Sequence, residues 1–327
     1  MAGLLAFTSC NNKKEVSSPK APVNTASLVT IGSGVNSSLS YLTGHAIAQT
    51  AKKRLEEIDV RLTVNPTGGS MAALKAVLEK KLDLALVSSF HLYQAVKGRG
   101  PWEEAGRQES VLSVFTLYTE ALILVTAETS GIRFITDLKG KRINIGLPGS
   151  DEQRAAILAL DEAGLNMETD VEAKEIDADT GLNMLQEGRL DAAFYMTVHP
   201  DEGLKTIIRG KKKLRFIPIP VNRTFLLRYP YYVRTTIPAE LYPEADIKEA
   251  VETFGIKTML VASTTVPKDT VYAVIEGIFD NVKSFNQLHP AYRGLTKKNM
   301  TDGMYRMIHR GALYYYMRNG FQLSCCF

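Results

Sequence analysis

Cysteine is almost missing from this chain: Cys10, Cys325 and Cys326 are the three among 327 residues, and all sit at the two ends. They are too few and too peripheral to staple a fold, so burial of apolar surface has to hold the core. Adjacent Cα atoms lie about 3.8 Å apart, below the usual span of a disulfide, so Cys325 and Cys326 do not pair with each other without strain. The five histidines, His45, His91, His199, His289 and His309, never fall at metal-ligand spacing, and no metal is expected. No run approaches the ~20 apolar residues that span a bilayer. Catalytic signatures are missing too: there is no Gly-x-Ser-x-Gly elbow, no Gly-Lys-Ser/Thr phosphate loop and no His-Glu-x-x-His pair. Glu103 and Glu104 are chain neighbours beside Trp102, and neighbouring side chains rarely aim at one substrate atom. An enzyme is therefore not expected, nor a cofactor. A Gly32-Ser33-Gly34 turn lacks the third glycine and the downstream acid of a dinucleotide fold.

What is present can build a large core. Hydrophobic residues make up 45% of the chain and charged ones 23%, which suits two domains. The formal charge of +4 is dispersed, and its densest run, Lys211-Lys212-Lys213, has no interleaved aromatics. It reads as a solvated turn, so no nucleic-acid partner is expected.

The most informative stretch is Val64-Asn65-Pro66-Thr67-Gly68-Gly69-Ser70. Leu62 and Val64 alternate with polar neighbours as in a strand, while Met71, Leu74 and Leu78 recur at helical spacing. The glycines between them permit a tight strand-to-helix turn whose first helical amides have no partner, a seat for an anion. A similar unit recurs at Ile143-Asn144-Ile145-Gly146-Leu147-Pro148-Gly149-Ser150 ahead of a helical stretch from Glu152 to Ala163. Leu78 to Leu86 and Leu185 to Phe194 also echo each other as helix end, tight turn, Leu-Asp and buried strand. Two halves of like design predict an α/β protein with two lobes, each with its own sheet, facing across a cleft.

Further strands are expected at Leu28 to Gly34, Leu82 to Val87, Val111 to Tyr118, Leu122 to Thr126 and Gly255 to Ala262. Helices are expected from Tyr41 to Glu57 and along the stripe Val271, Ile275, Ile278, Val282 and Phe285, which is core packing rather than a cofactor face. Tyr314-Tyr315-Tyr316 is expected to pack a last helix on the first lobe. The first ten residues form a short apolar run ending at Cys10, followed by a polar linker, the pattern of a lipoprotein signal in which Cys10 is lipidated.

Several motifs in order carry a family likeness: Ile31-Gly32-Ser33-Gly34, Asn65 to Ser70, Leu82-Asp83-Leu84-Ala85-Leu86-Val87, Ser130-Gly131-Ile132 with Asp137-Leu138-Lys139-Gly140-Lys141-Arg142-Ile143, Leu190 to Phe194, Tyr229 to Pro243 and His309-Arg310-Gly311-Ala312. From about Leu28 the chain resembles the TAXI family, the solute receptors of TRAP transporters. The resemblance implies the type II periplasmic-binding-protein fold, with two lobes, a ligand cleft and a hinge. It implies an extracytoplasmic, membrane-tethered monomer that captures a small carboxylate, such as glutamate or 2-oxoglutarate, for TRAP membrane subunits. An ABC-type importer's binding protein and a regulator's sensor domain are the alternatives on the same fold; the second would need a helix-turn-helix before Leu28, where only a polar linker stands. The expected organisation is a signal remnant and linker at 1–26, lobe I at 27–127 and 256–327, and lobe II at 128–255. The expected ligand contacts are Ser33, Asn36, Thr67, Gly68, Gly69, Ser70, Ser89 and Tyr118 from lobe I, with Ser150 and Tyr195 from lobe II. Departures from the family pattern fall around this cleft, at Ser37-Ser38, Ser40-Tyr41, Ala73 and Ser88-Ser89-Phe90.

Overall fold

Two long strands, Val111–Ala127 and Val251–Ser263, lie side by side and join everything else. The computed structural model describes residues 26–36, 38–245, 247–304 and 307–322; Cys10, Ser37, Cys325 and Cys326 lie outside them. In chain order the first unit is β1 (Ser27–Ser33), α1 (Leu39–Glu56), β2 (Val60–Pro66), α2 (Ser70–Leu78), β3 (Leu84–Ser88) and α3 (Ser89–Lys97). The long β4 (Val111–Ala127) leads to β5 (Arg142–Asn144), α4 (Asp151–Glu162), β6 (Glu172–Lys174), α5 (Ala178–Glu187) and β7 (Ala192–Val198). Next come α6 (Glu202–Ile208), β8 (Leu214–Ile217), α7 (Arg223–Arg228) and β9 (Tyr232–Ile237). The chain returns through β10 (Val251–Ser263) and ends in α8 (Lys268–Asp280), α9 (Val282–Gln287) and α10 (Arg310–Arg318).

The strand order is β2-β1-β3-β10-β4-β7-β5-β6, with β8 on β4 and β9 on β10. The two expected sheets are therefore one hydrogen-bonded path, because β4 and β10 pair with strands of both units. For the same reason the two strands expected at Val111 to Tyr118 and Leu122 to Thr126 are one: polar Thr119 and Glu120 stay in the ladder opposite Lys257 and Ile256. The register slips between Lys257 and Met259, and Gly255 sits so close to β4 that a Cβ there would lie 2.2 Å from the Glu120 carbonyl oxygen. The crossing is thus tight where β4 and β10 pass from one unit to the other.

The internal echo has a physical basis. β2-β1-β3 and β6-β5-β7 are parallel triplets of the same order, and in each the Leu-Asp aspartate clasps the neighbouring strand. Asp83 accepts from the backbone N–H and the hydroxyl of Thr30, both at 2.8 Å. Asp191 accepts from the Arg142 N–H at 2.9 Å, while its other oxygen takes the guanidinium at 2.7 Å. This correspondence also separates the two glycine turns: the Ser70 turn follows the second strand of its triplet and the Ser150 turn follows the first.

Alternation along β4 divides the core. Leu122 and Leu124 join the larger apolar cluster, and Ala121, Ile123 and Val125 join a smaller one with Tyr195, Ile237 and Tyr242. The expected helix through Phe285 is interrupted at Asn281, which separates α8 from α9 and whose side-chain amide bonds the Gly277 carbonyl at 2.8 Å. In α10, Tyr315 and Tyr316 are buried against Phe279, as expected of the last helix, whereas Tyr314 is exposed under the Lys268 ammonium. His309 caps it: its Nδ1 accepts from the Gly311 N–H at 3.1 Å, and its Nε2 lies 3.1 Å from the Val266 carbonyl. Gly311 is needed there because a Cβ would come within 2.2 Å of the Lys268 carbonyl.

Candidate functional site

Three helices of the two triplets begin around one cleft, and their first turns differ. The starts of α3 and α4 are closed by their own side chains: Ser88 accepts from the His91 N–H at 3.3 Å and Ser150 from the Gln153 N–H at 3.0 Å. The start of α2 has no such cap. Its N-cap is Gly69, at φ +106° with no cap hydrogen bond and no atom within 4 Å of where a Cβ would stand. The first amides of α2 therefore keep the donor character of an open helix start.

Ser70, the first residue of α2, uses its hydroxyl to accept from the Ser88 N–H at 2.7 Å and lies 3.1 Å from His91 Nδ1. His91 also lies 3.0 Å from the Ser88 hydroxyl. Burial lowers the His91 pKa; Asp151 opposes the shift and Arg154 adds to it, so both residues of α4 face this imidazole. Arg154 crosses the cleft, with its guanidinium carbon 3.8 Å from the centre of the Phe90 ring, and pairs with Asp151 one turn back. Phe90 in turn meets Tyr231 edge to face at 4.9 Å.

Carboxylates line the rest. Glu120, at the crossing of β4 and β10, accepts from the Thr258 hydroxyl at 3.0 Å. Burial raises its pKa to about 7 against the Thr258 bond, and Asp151 adds to the rise. Glu152 turns inward, where one oxygen accepts from the Met196 N–H at 3.0 Å and the other is buried without a hydrogen-bond partner among the described residues. Burial holds its pKa at about 7 as well. Gly146 makes room for that carboxyl, since a Cβ there would lie 2.6 Å from its Oε1.

The residues expected from sequence divide. Gly68, Gly69 and Ser70 stand at the open start of α2, and Ser150 stands across from it at α4. Thr67 belongs to the turn, but its hydroxyl bonds the Ser33 carbonyl and also lies 3.2 Å from the Gly69 carbonyl, fixing the loop. Ser33 is fully buried, with its hydroxyl 3.3 Å from the Asn65 carbonyl. Ser89 is buried too, donating to the Tyr231 carbonyl at 2.7 Å and accepting from the Lys257 N–H at 3.0 Å. Tyr195 lies in the smaller core cluster, with its hydroxyl 3.3 Å from Asp201. These three are positioned as packing groups rather than as cleft contacts. Tyr118 is buried at the crossing, stacked on Tyr292 with centroids 6.2 Å apart, and Asn36 is exposed. Sequence reasoning missed His91, Asp151 and Arg154. The signal for the last two was available: an acid and an arginine three apart just after an N-cap serine share one helix face.

A model of the NMT1-like family matches residues 31–320. Among solved structures, the chain is similar to methylphosphonate-bound PhnD1 from Prochlorococcus marinus, at 13% identity over 81% of this chain and 90% of that one, with a TM-score of 0.51. It is also similar to a putative sulfonate ABC transporter's periplasmic sulfonate-binding protein, SsuA, from Methylobacillus flagellatus, at 13% identity over 91% and 90% of the chains, with a TM-score of 0.50. The fold is thus that of the two-lobed periplasmic binding proteins. Among the described residues no helix is long and apolar enough to cross a membrane.

Proposed function

The chain belongs to the NMT1-like family, and we propose that it is an extracytoplasmic solute-binding protein that closes two lobes on a small solute for delivery to a membrane importer. The observation that carries this reading is the pairing of an uncapped α2 start with Asp151 and Arg154 of α4 across one cleft. We take lobe I as 27–127 with 256–327 and lobe II as 128–255, with the hinge where Glu120 and Gly255 touch. Nothing in this reading calls for catalysis, and the SsuA neighbour is a periplasmic sulfonate-binding protein.

The charges favour one class of solute. A carboxylate at a helix start gains about 0.3–1 kcal/mol when exposed and up to ~2 when partly buried, so the α2 amides suit an acid head. Across from them, Asp151, paired with Arg154, and Glu120, which loses its proton as pH rises through about 7, offer acceptors to an ammonium and like charge to a second carboxylate. An α-amino acid satisfies both walls, whereas a dicarboxylate such as 2-oxoglutarate satisfies one. The sequence resemblance implies TRAP membrane subunits as partners. The sulfonate-binding neighbour serves an ABC transporter, and this supports the ABC-type importer as the better partner reading. Lipidation of Cys10, outside the described residues, would tether the monomer at the membrane surface; mass spectrometry of the mature protein tests it.

The solute reading is tested by calorimetric titration with amino acids, dicarboxylates and alkanesulfonates. Binding by an amino acid that is lost in Asp151→Asn supports it. Binding by dicarboxylates alone overturns the ligand class.

A further inference from the structure

A cavity of about 620 Å³ lies against the same crossing strands but is not the cleft. Its β4 wall is made by Leu117, Tyr118, Thr119 and Ala121, and Glu120 is not part of it. None of His91, Glu120, Asp151 or Arg154 lines it. Both halves of the chain contribute: His199, Pro200 and Ile237 from the segment between the long strands, and Pro290, Leu295 and Asn299 from the C-terminal segment.

The lining is mostly apolar, and its charge is one-sided. The lining residues include three cations, Arg234, Lys257 and Arg293, and one acid, Asp302. The Lys257 ammonium is held by the Thr116 hydroxyl at 3.3 Å and the carbonyls of Asn299 and Asp302 at 3.0 and 3.1 Å. Arg234 donates one N–H to the Val221 carbonyl at 2.8 Å, and neither it nor Arg293 forms an ion pair among the described residues. A cavity within the ~300–1,000 Å³ range of small-molecule sites, with apolar walls and the cationic Lys257 and Arg293 in its lining, has the chemistry to hold an organic acid by its tail and head together, while the Arg234 guanidinium is directed to the Val221 carbonyl outside the lining.

We infer that this cavity is a second ligand site, distinct from the solute cleft, for a small organic anion with an apolar body. It stands whether or not the cleft binds an amino acid.

Octanoate is the probe, titrated by calorimetry, with octanol as the uncharged control. Wild-type protein is expected to bind octanoate at one site and octanol more weakly. The variant Arg293→Ala loses about tenfold or more in affinity, the loss expected for a charge-assisted hydrogen bond. Arg293 is exposed, so an unchanged melting temperature is expected to accompany that loss. Gly294→Trp provides a second route, because Gly294 lines the cavity and a Cβ there meets no atom within 4 Å; it is expected to weaken octanoate with the charges intact. Arg154→Ala, in the cleft, leaves octanoate affinity unchanged. The inference is overturned if wild-type protein fails to bind octanoate at millimolar concentration, if octanol binds equally well, or if Arg154→Ala rather than Arg293→Ala removes binding.

Discussion

The guanidinium of Arg154 lies over the ring of Phe90, 3.8 Å from its centre, although Phe90 and Arg154 are 64 residues apart and three strands of the sheet path, β10, β4 and β7, lie between β3 and β5, the strands before their helices. An arginine over an aromatic face contributes about 0.5–1 kcal/mol when exposed and ~2 or more when desolvated. This contact joins the two walls of the cleft, beside the Ser89 hydrogen bond to the Tyr231 carbonyl.

A double-mutant cycle with Phe90→Leu and Arg154→Met is therefore expected to give a coupling energy of about 0.5–2 kcal/mol in denaturant unfolding. Additive effects of the two changes would mean that the walls do not meet in solution.

The aspartate clasps give a second expectation. Asp83→Ala strands the Thr30 N–H and hydroxyl, and a cost of about 1–3 kcal/mol is expected. Asp83→Asn keeps an acceptor oxygen and should cost less. Equal losses in the two variants, measured by urea unfolding, would show that the acceptor is not what matters.

At the crossing, Gly255→Ala drives a Cβ toward the Glu120 carbonyl 2.2 Å away. A loss of about 1–3 kcal/mol or more is expected, the range for overpacking a filled site. Gly294→Ala, with no atom within 4 Å of the added carbon, is the control and should stay within about 0.5 kcal/mol.

The pH dependence follows from Glu120. Burial lifts its pKa from 4.5 to about 7, so between these values the folded protein holds a proton that the unfolded chain has lost. Its contribution is fully present below about pH 4.5 and fades as pH rises through about 7. Glu120→Gln keeps the neutral shape and is expected to stabilise the protein relative to wild type increasingly from pH 5 to 8. A difference that is flat across this range would contradict the buried carboxyl.

Much of the architecture was legible because it rests on local signals. The Leu62 and Val64 alternation, the Gly68-Gly69 turn and the Met71, Leu74, Leu78 stripe became β2, the uncapped turn and α2. The Leu-Asp echo marked two strands whose aspartates perform the same clasp. Of the candidate site, the glycine turn and Ser150 were legible. Ser33, Ser89 and Tyr195 carry the right groups, but the pleat and the packing aim them into the protein, and composition does not reveal which face a strand end presents. His91, Asp151 and Arg154 meet only when distant segments close on one another. Local periodicity carries no record of that contact. The break at Asn281 was hidden for the opposite reason, since the apolar spacing runs on through it while the backbone does not.

The cleft itself is most directly tested by backbone amide NMR of isotope-labelled protein during titration with the amino acid that binds best by calorimetry. The largest shifts are expected at the amides of Ser70, Met71 and Ala72, with a second group at Asp151 and Arg154. Shifts that leave the start of α2 unmoved and cluster elsewhere would contradict the account.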